Sequence, residues 1–163
     1  MSEIFEEKQG MEEDTQQGRF LTFTLEDEVY GIEIRYVTEI IGIQSITKVP
    51  EVPEYVKGII NLRGKIIPVI DVRLKFGKEP MEYNDRTCIV VIDIAQVSVG
   101  LIVDNVDVVL TINEEDIAPP PPNKTGFENR YIKGIGKSGD RVQLLLDCER
   151  LLKNDEMEII SQI

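Results

Sequence analysis

The chain has 163 residues, a length for one domain or two very small ones. Hydrophobic residues make up 42% and charged residues 29%, a globular rather than a disordered profile with enough chain to bury a core. Eighteen Lys and Arg stand against thirty Asp and Glu, a formal charge of −12 that excludes unspecific binding of nucleic acid or an anionic membrane, since both need a cationic surface.

Residues 1–18 carry six acids (Glu3, Glu6, Glu7, Glu12, Glu13, Asp14) against Lys8, which predicts a flexible, solvated acidic tail. Period-two alternation starts at Leu21, Phe23 and Leu25. It resumes after Glu26-Asp27-Glu28 with Tyr30, Ile32 and Ile34, so the segment is a hairpin. Val37, Ile40 and Ile41 stand at i, i+3, i+4, the spacing of one apolar face on a short helix. Residues 59–62 and 65–70 flank Arg63-Gly64, a tight turn in which glycine supplies the positive φ. Asp71 then opens a short helix as its N-cap, and Gly77 closes it. Residues 88–94, 99–103 and 106–112 are further strands. Pro119-Pro120-Pro121-Pro122 runs as polyproline II, a stiff connector. Residues 132–135 and 142–146 flank Lys137-Ser138-Gly139-Asp140 as a last hairpin, Asp147 opens a second short helix, and 155–163 form a C-terminal acidic tail.

The chain also repeats itself. Lys57-Gly58-Ile59 stands fourteen residues before Asp71-Val72-Arg73-Leu74, and Lys133-Gly134-Ile135 stands fourteen before Asp147-Cys148-Glu149-Arg150-Leu151. Gly31-Ile32-Glu33-Ile34-Arg35-Tyr36-Val37 matches Gly100-Leu101-Ile102-Val103-Asp104-Asn105-Val106. The offsets are 76 and 69, so the second copy carries extra residues, placed around the prolines. The expected fold is all-β with a few short helices, in two similar units of about five strands. Each alone is near the size where a core is marginal, so the two pack over an apolar seam. The expected division is 19–82 and 83–146, with 147–154 a candidate closing segment for the first unit.

Motifs that suggest chemistry have plainer structural uses. Histidine is absent, which removes the commonest general base and zinc ligand. Cys88 and Cys148 lie sixty positions apart, too few thiols for a zinc site, and Cys88 sits in an apolar strand with no histidine to activate it. Gly134-Ile135-Gly136-Lys137-Ser138-Gly139 is a literal GxGxxG, but a dinucleotide loop must open a helix, and Val142, Leu144 and Leu146 alternate as a strand. A phosphate loop ending Gly136-Lys137-Ser138 needs glycine where Tyr131 stands. Asn123-Lys124-Thr125 fits a glycosylation acceptor, but the first residues lack a secretory signal. Asp104 and Asp107 lack the cadence of a calcium loop. No apolar run approaches the ~18–20 residues of a membrane-spanning helix. The expectations are therefore a cytoplasmic protein that is no enzyme and takes no cofactor or metal. A binding surface remains, with apolar residues in excess over 35–41 and Arg63 on a protruding turn. Two alternatives stay open: a ligand-sensing β-barrel, and a hydrolase or transferase that uses paired carboxylates.

Gly58-Ile59-Ile60-Asn61-Leu62-Arg63-Gly64-Lys65-Ile66-Ile67-Pro68-Val69-Ile70-Asp71-Val72-Arg73 resembles the signature of the CheW-like domain family. So do Val29-Tyr30-Gly31-Ile32-Glu33-Ile34 with Val37-Thr38-Glu39-Ile40, and Tyr131-Ile132-Lys133-Gly134-Ile135-Gly136 through Leu144-Leu145-Leu146-Asp147. The resemblance covers about residues 19–152. No histidine-kinase catalytic region or receiver domain accompanies it, so it is similar to the family's stand-alone coupling members. It implies two SH3-like five-stranded β-barrels on a shared hydrophobic interface. It further implies a bacterial chemotaxis adaptor, monomeric when free, that joins the cytoplasmic hairpin tips of methyl-accepting chemoreceptors to the regulatory domain of the CheA histidine kinase in arrays. By the same resemblance, Val37, Glu39, Gly58, Arg63, Gly100 and Val106 are expected at the receptor contact and Ile46, Val49 and Pro53 at the kinase contact; Ile40 is expected to join the receptor contact because apolar burial should dominate the affinity.

Overall fold

The structure, a computed structural model, describes residues 17–120 and 130–152. The acidic tail up to residue 16, Pro121, Pro122, Asn123-Lys124-Thr125 and the end 155–163 lie outside the described residues. Among the described residues there are eleven strands: β1 (Arg19–Leu25), β2 (Glu28–Glu33), β3 (Val37–Gly42), β4 (Val56–Leu62), β5 (Lys65–Asp71), β6 (Cys88–Ile94), β7 (Val97–Val103), β8 (Asn105–Thr111), β9 (Ile117–Ala118), β10 (Ile132–Ser138) and β11 (Arg141–Leu146). Two four-residue helices follow β5 and β11: α1 (Val72–Lys75) and α2 (Cys148–Leu151).

The strands form a five-stranded sheet in the order β3-β6-β7-β5-β4 and a six-stranded sheet in the order β8-β1-β2-β11-β10-β9. This is the expected pair of SH3-like barrels. The sheets do not divide the chain at 82/83, however. The five-stranded sheet takes all its strands from 37–103, while the six-stranded sheet joins 19–33 to 105–146. Each repeat unit lends its first hairpin to the other unit's sheet. β2 runs parallel to β11, with Leu145 opposite Gly31, and β7 runs parallel to β5, with Val69 opposite Gly100. Those two parallel pairs are the same pair, displaced by the two repeat offsets.

Other details repeat as well. The β4–β5 ladder slips by a residue between Val56 and Gly58, and the β10–β11 ladder slips between Ile132 and Gly134. The Asp71 N–H donates to the Tyr55 carbonyl at 2.7 Å, and the Asp147 N–H to the Tyr131 carbonyl at 2.7 Å. Both aspartates cap their helices: Asp71 accepts from the Leu74 N–H, and Asp147 from those of Glu149 and Arg150.

The largest core lies between the barrels. Leu21, Phe23, Leu25, Tyr30 and Ile32 from one sheet meet Ile70, Val90, Ile92, Leu101 and Val103 from the other, and Phe76, Cys148 and Leu151 complete it from the helical segments. Rings of Phe23, Tyr30, Phe76 and Tyr131 follow one another at centroid spacings of 5.7, 5.5 and 5.6 Å. Residues 147–152 thus cap the seam shared by both barrels. Each barrel also has a small cluster of its own: Ile60, Ile67, Val69, Ile89, Val91 and Ile102 in the five-stranded one, and Phe20, Ile112 and Leu145 in the six-stranded one.

The helix expected from Val37, Ile40 and Ile41 is not formed. Ile34–Tyr36 make a single 3-10 turn, and 37–42 are strand β3, ladder-paired to β6 with burial alternating along it. Val, Thr and two Ile side chains are stiff at χ1 and fit a pleated surface better than a helix, and the open edge of β6 supplies the partner. The GxGxxG segment is the β10–β11 hairpin, with φ +61° at Gly139.

Candidate binding surface

β3 and β8 are the terminal strands of their sheets. Val37 opens one, Val106 lies near the start of the other, and the repeat makes the two residues equivalent. Both are half-buried and pack against the core between the barrels. Each strand is locally distorted against its partner, β3 between Val37 and Glu39, and β8 opposite Leu21–Phe23. A threonine hydroxyl bridges each distortion: Thr38 Oγ1 donates to the Val91 carbonyl at 3.1 Å, and Thr22 Oγ1 to the Val108 carbonyl at 2.6 Å. Ile40 stands on β3 with its side chain outward, 44% exposed, and Val108 and Val109 of β8 are exposed too.

Arg63 occupies the tip of the β4–β5 hairpin. Arg63 (φ +52°) and Gly64 (φ +86°) are both left-handed, so this is a two-residue turn of the primed type, and Asn61 Oδ1 closes it by accepting the Gly64 N–H at 2.8 Å. Glycine alone was expected to take positive φ; arginine takes it as well. The guanidinium reaches Glu39 on β3 and forms an ion pair. The glycines are placed differently. Gly58 and Gly100 are buried. A Cβ on Gly58 (φ +146°) would lie 2.0 Å from the Thr47 carbonyl oxygen, and one on Gly100 would lie 2.7 Å from Ile89 and 2.8 Å from Val69.

Ile46, Val49 and Pro53 lie on the connection from β3 to β4, all half-buried. Thr47 exchanges two 2.9 Å backbone hydrogen bonds with Ile59, so this connection covers the outer edge of β4. Ile46 packs on the inner cluster of the five-stranded barrel. The structure therefore brings Val37, Glu39, Ile40 and Arg63 together around β3, sets Val106 on the matching strand, and leaves Ile46, Val49 and Pro53 as a separate group beside β4.

One polar constellation has no signature in the sequence. Arg73 on α1, 8% exposed, donates from Nε to Asp104 Oδ1 at 2.7 Å. Its Nη1 reaches Glu26 Oε1 at 3.2 Å and the Glu79 carbonyl at 2.8 Å. Asp104 in turn accepts the Glu26 N–H at 2.8 Å. The guanidinium, its charge held chiefly by the hydrogen bond to Asp104, fastens the β1–β2 turn to the β7–β8 junction. The signal was indirect: the repeat sets Arg73 against Glu149 and Asp104 against Arg35, the same two charges with signs exchanged.

The reactive groups are quiet. Burial pushes the Cys148 thiol up to about 12. Burial first, then its hydrogen bond to Asp71, raises the Tyr83 hydroxyl above its ordinary range. No cluster of three or more metal-ligating side chains occurs among the described residues. A cleft of about 420 Å³ opens beside the β1–β2 turn, lined by Asp27, Glu28, Val29, Arg141, Val142 and Leu144. None of the expected site residues lines it.

The structure thus has twin barrels fused by one core, each ending in a distorted edge strand beside that core. The comparisons agree. The family model described as CheW-like domain matches residues 19–156. The chain is 39% identical to the chemotaxis protein CheW of Klebsiella aerogenes over 88% of its own length and 87% of that protein. It is 36% identical to the chemotaxis protein CheW of Helicobacter pylori, over 84% and 82% of the two chains. It is also similar to the crystal structure of the scaffolding protein TtCheW from Thermoanaerobacter tengcongensis, with a TM-score of 0.78 and 39% identity over 85% of this chain and 94% of that one. The chain belongs to the CheW-like domain family. It is a non-catalytic coupling and scaffolding protein of chemotaxis, and its partners are other chemotaxis proteins.

Proposed function

We propose that this protein joins the cytoplasmic hairpin tips of methyl-accepting chemoreceptors to the regulatory domain of the CheA histidine kinase, and so places kinase activity under receptor control. The observation that carries the reading is the matched placement of Val37 and Val106. Two equivalent valines, on the two edge strands, flank one shared core, as a helical hairpin tip lying along the seam would require. Burial of Val37, Ile40 and Val106 would supply most of the affinity; full burial of such a side chain is worth ~1.5–3 kcal/mol, and each of these, already partly covered, would gain a fraction of it. Glu39 and Arg63 would set orientation.

The kinase would meet the five-stranded barrel at Ile46, Val49 and Pro53, on the connection from β3 to β4, leaving β3 itself to the receptor. Gly58 and Gly100, being buried, would serve docking only by keeping the five-stranded barrel in shape. On this reading the protein is cytoplasmic, monomeric when free, and drawn to membrane arrays through its partners. The test is autophosphorylation of CheA with receptor-bearing membranes, with and without this chain. Receptor-dependent activation only when the chain is added supports the proposal; equal activity with and without it removes it.

A further inference from the structure

We propose that the barrels differ in compliance: the one around β10 and β11 opens locally more readily than the one around β4 and β5, and buried Gln143 is the main cause. The internal repeat lets each position be compared with its twin. In the five-stranded barrel, Ile60 and Ile67 face each other across β4 and β5 inside an apolar cluster. Their twins, by the offset of 76, are Gly136 and Gln143, which face each other across β10 and β11.

Val91 and Ile102 of the same cluster have Thr22 and Glu33 as twins, by the offset of 69. Thr22 spends its hydroxyl on the β8 backbone. Glu33 is ion-paired to Lys133 and Arg35. Of the six apolar residues of one inner cluster, only the twins of Ile89 and Val69 are apolar, namely Phe20 and Leu145, and Ile112 joins them.

Gln143 is fully buried, and its Oε1 has no hydrogen-bond partner among the described residues. A buried acceptor left unpaired loses its hydration without return, and water regains it whenever the strands part. Opening β10 and β11 therefore relieves a penalty that opening β4 and β5 does not.

Hydrogen–deuterium exchange on the full chain, read by NMR, tests this. The slowest amides of β10 and β11 should exchange about tenfold or more faster than those of β4 and β5, the factor expected from one unpaired buried acceptor. Gln143→Ile should slow β10 and β11 by a similar factor and leave β4 and β5 unchanged. The reciprocal Ile67→Gln should quicken β4 and β5. Equal protection of the two hairpins in the wild-type chain overturns the proposal. So does a folded Gln143→Ile variant whose β10 and β11 exchange at the wild-type rate. If Gln143→Ile does not fold, the wild-type comparison and Ile67→Gln decide.

Discussion

Arg63 and Glu39 are joined by an ion pair that ties the β4–β5 hairpin tip to β3, the strands at opposite ends of the five-stranded order, so a side-chain bridge helps close that barrel. The Arg63 side chain is 73% exposed, and the bridge should add little stability. A double-mutant cycle of Glu39→Ala and Arg63→Ala, followed by urea unfolding, should give a coupling of ~0.2–1 kcal/mol that shrinks with added salt. Capture of a receptor fragment should fall by more than this coupling in either single variant. The charge-exchanged pair Glu39→Arg with Arg63→Glu should restore the stability but not the capture. If it restores capture too, the pair acts on the barrel and not on the partner.

Ile40 separates docking from folding better than Val37 does. Val37 leans on the core, so Val37→Asp places a charge against apolar side chains and lowers stability as well as binding. Ile40 is outward-facing. Ile40→Ser should leave stability within ~0.5 kcal/mol while weakening receptor capture by about tenfold. Thermal unfolding and a pull-down on the same samples check both halves.

Arg73 is the opposite case, a buried cation whose loss strands its partners. Arg73→Ala should cost about 1.5–3 kcal/mol, since Asp104 and the Glu79 carbonyl then face a gap. Arg73→Lys should recover less than half, because one ammonium cannot span three acceptors in the guanidinium's plane. Denaturant midpoints of the three proteins measure it.

The strands were legible because alternation is a local property: Leu21, Phe23 and Leu25 announce β1 whatever lies beside it. The repeat was legible too, since Asp71 and Asp147 keep their places after Gly58 and Gly134. What could not be seen was which hairpin pairs with which sheet. That depends on two parallel contacts, Tyr30 with Leu144 and Gly100 with Val69, between segments far apart in the chain. The same blindness produced the helix at Val37–Ile41: 3.6-residue spacing is satisfied by chance in a short apolar run, and only the edge of β6 decides for strand. The site shows the same split. Arg63 on its turn followed from Gly64, whereas its bond to Glu39 and the Arg73 network needed the closed barrel.

Alkaline pH should expose the seam. The Cys148 thiol, ordinarily near 9.0, is raised by burial to about 12 in the folded chain. The unfolded state thus loses its proton first, and the stability held below pH 9 drains away as pH rises toward 12. Near pH 10.5 the loss should be on the order of 1–2 kcal/mol. Tyr83, raised in the same direction, adds to it. Cys148→Ala should have a lower Tm at pH 8 but a flatter decline up to pH 10.5, with Tyr83 and Tyr36, both raised by burial, contributing to the slope that remains. In the native chain at pH 8, Cys148 should resist a thiol reagent that labels it at once in denaturant.

Gly58 gives the sharpest contrast between a residue that docks and one that only permits the fold. Its φ of +146° and the Thr47 carbonyl oxygen, 2.0 Å from where a Cβ would sit, leave no room for alanine. The obstacle is backbone held by two hydrogen bonds to Ile59, so it cannot swing aside. Gly58→Ala should cost at least ~3 kcal/mol. Gly42 has open space around its own Cβ position, and Gly42→Ala should change stability by no more than ~1 kcal/mol. If Gly58 acts through the fold, receptor capture by Gly58→Ala, corrected for the fraction folded, should match the wild type at low temperature and fail on warming together with circular dichroism. Loss of capture by a fully folded Gly58→Ala would instead put the partner directly against β4.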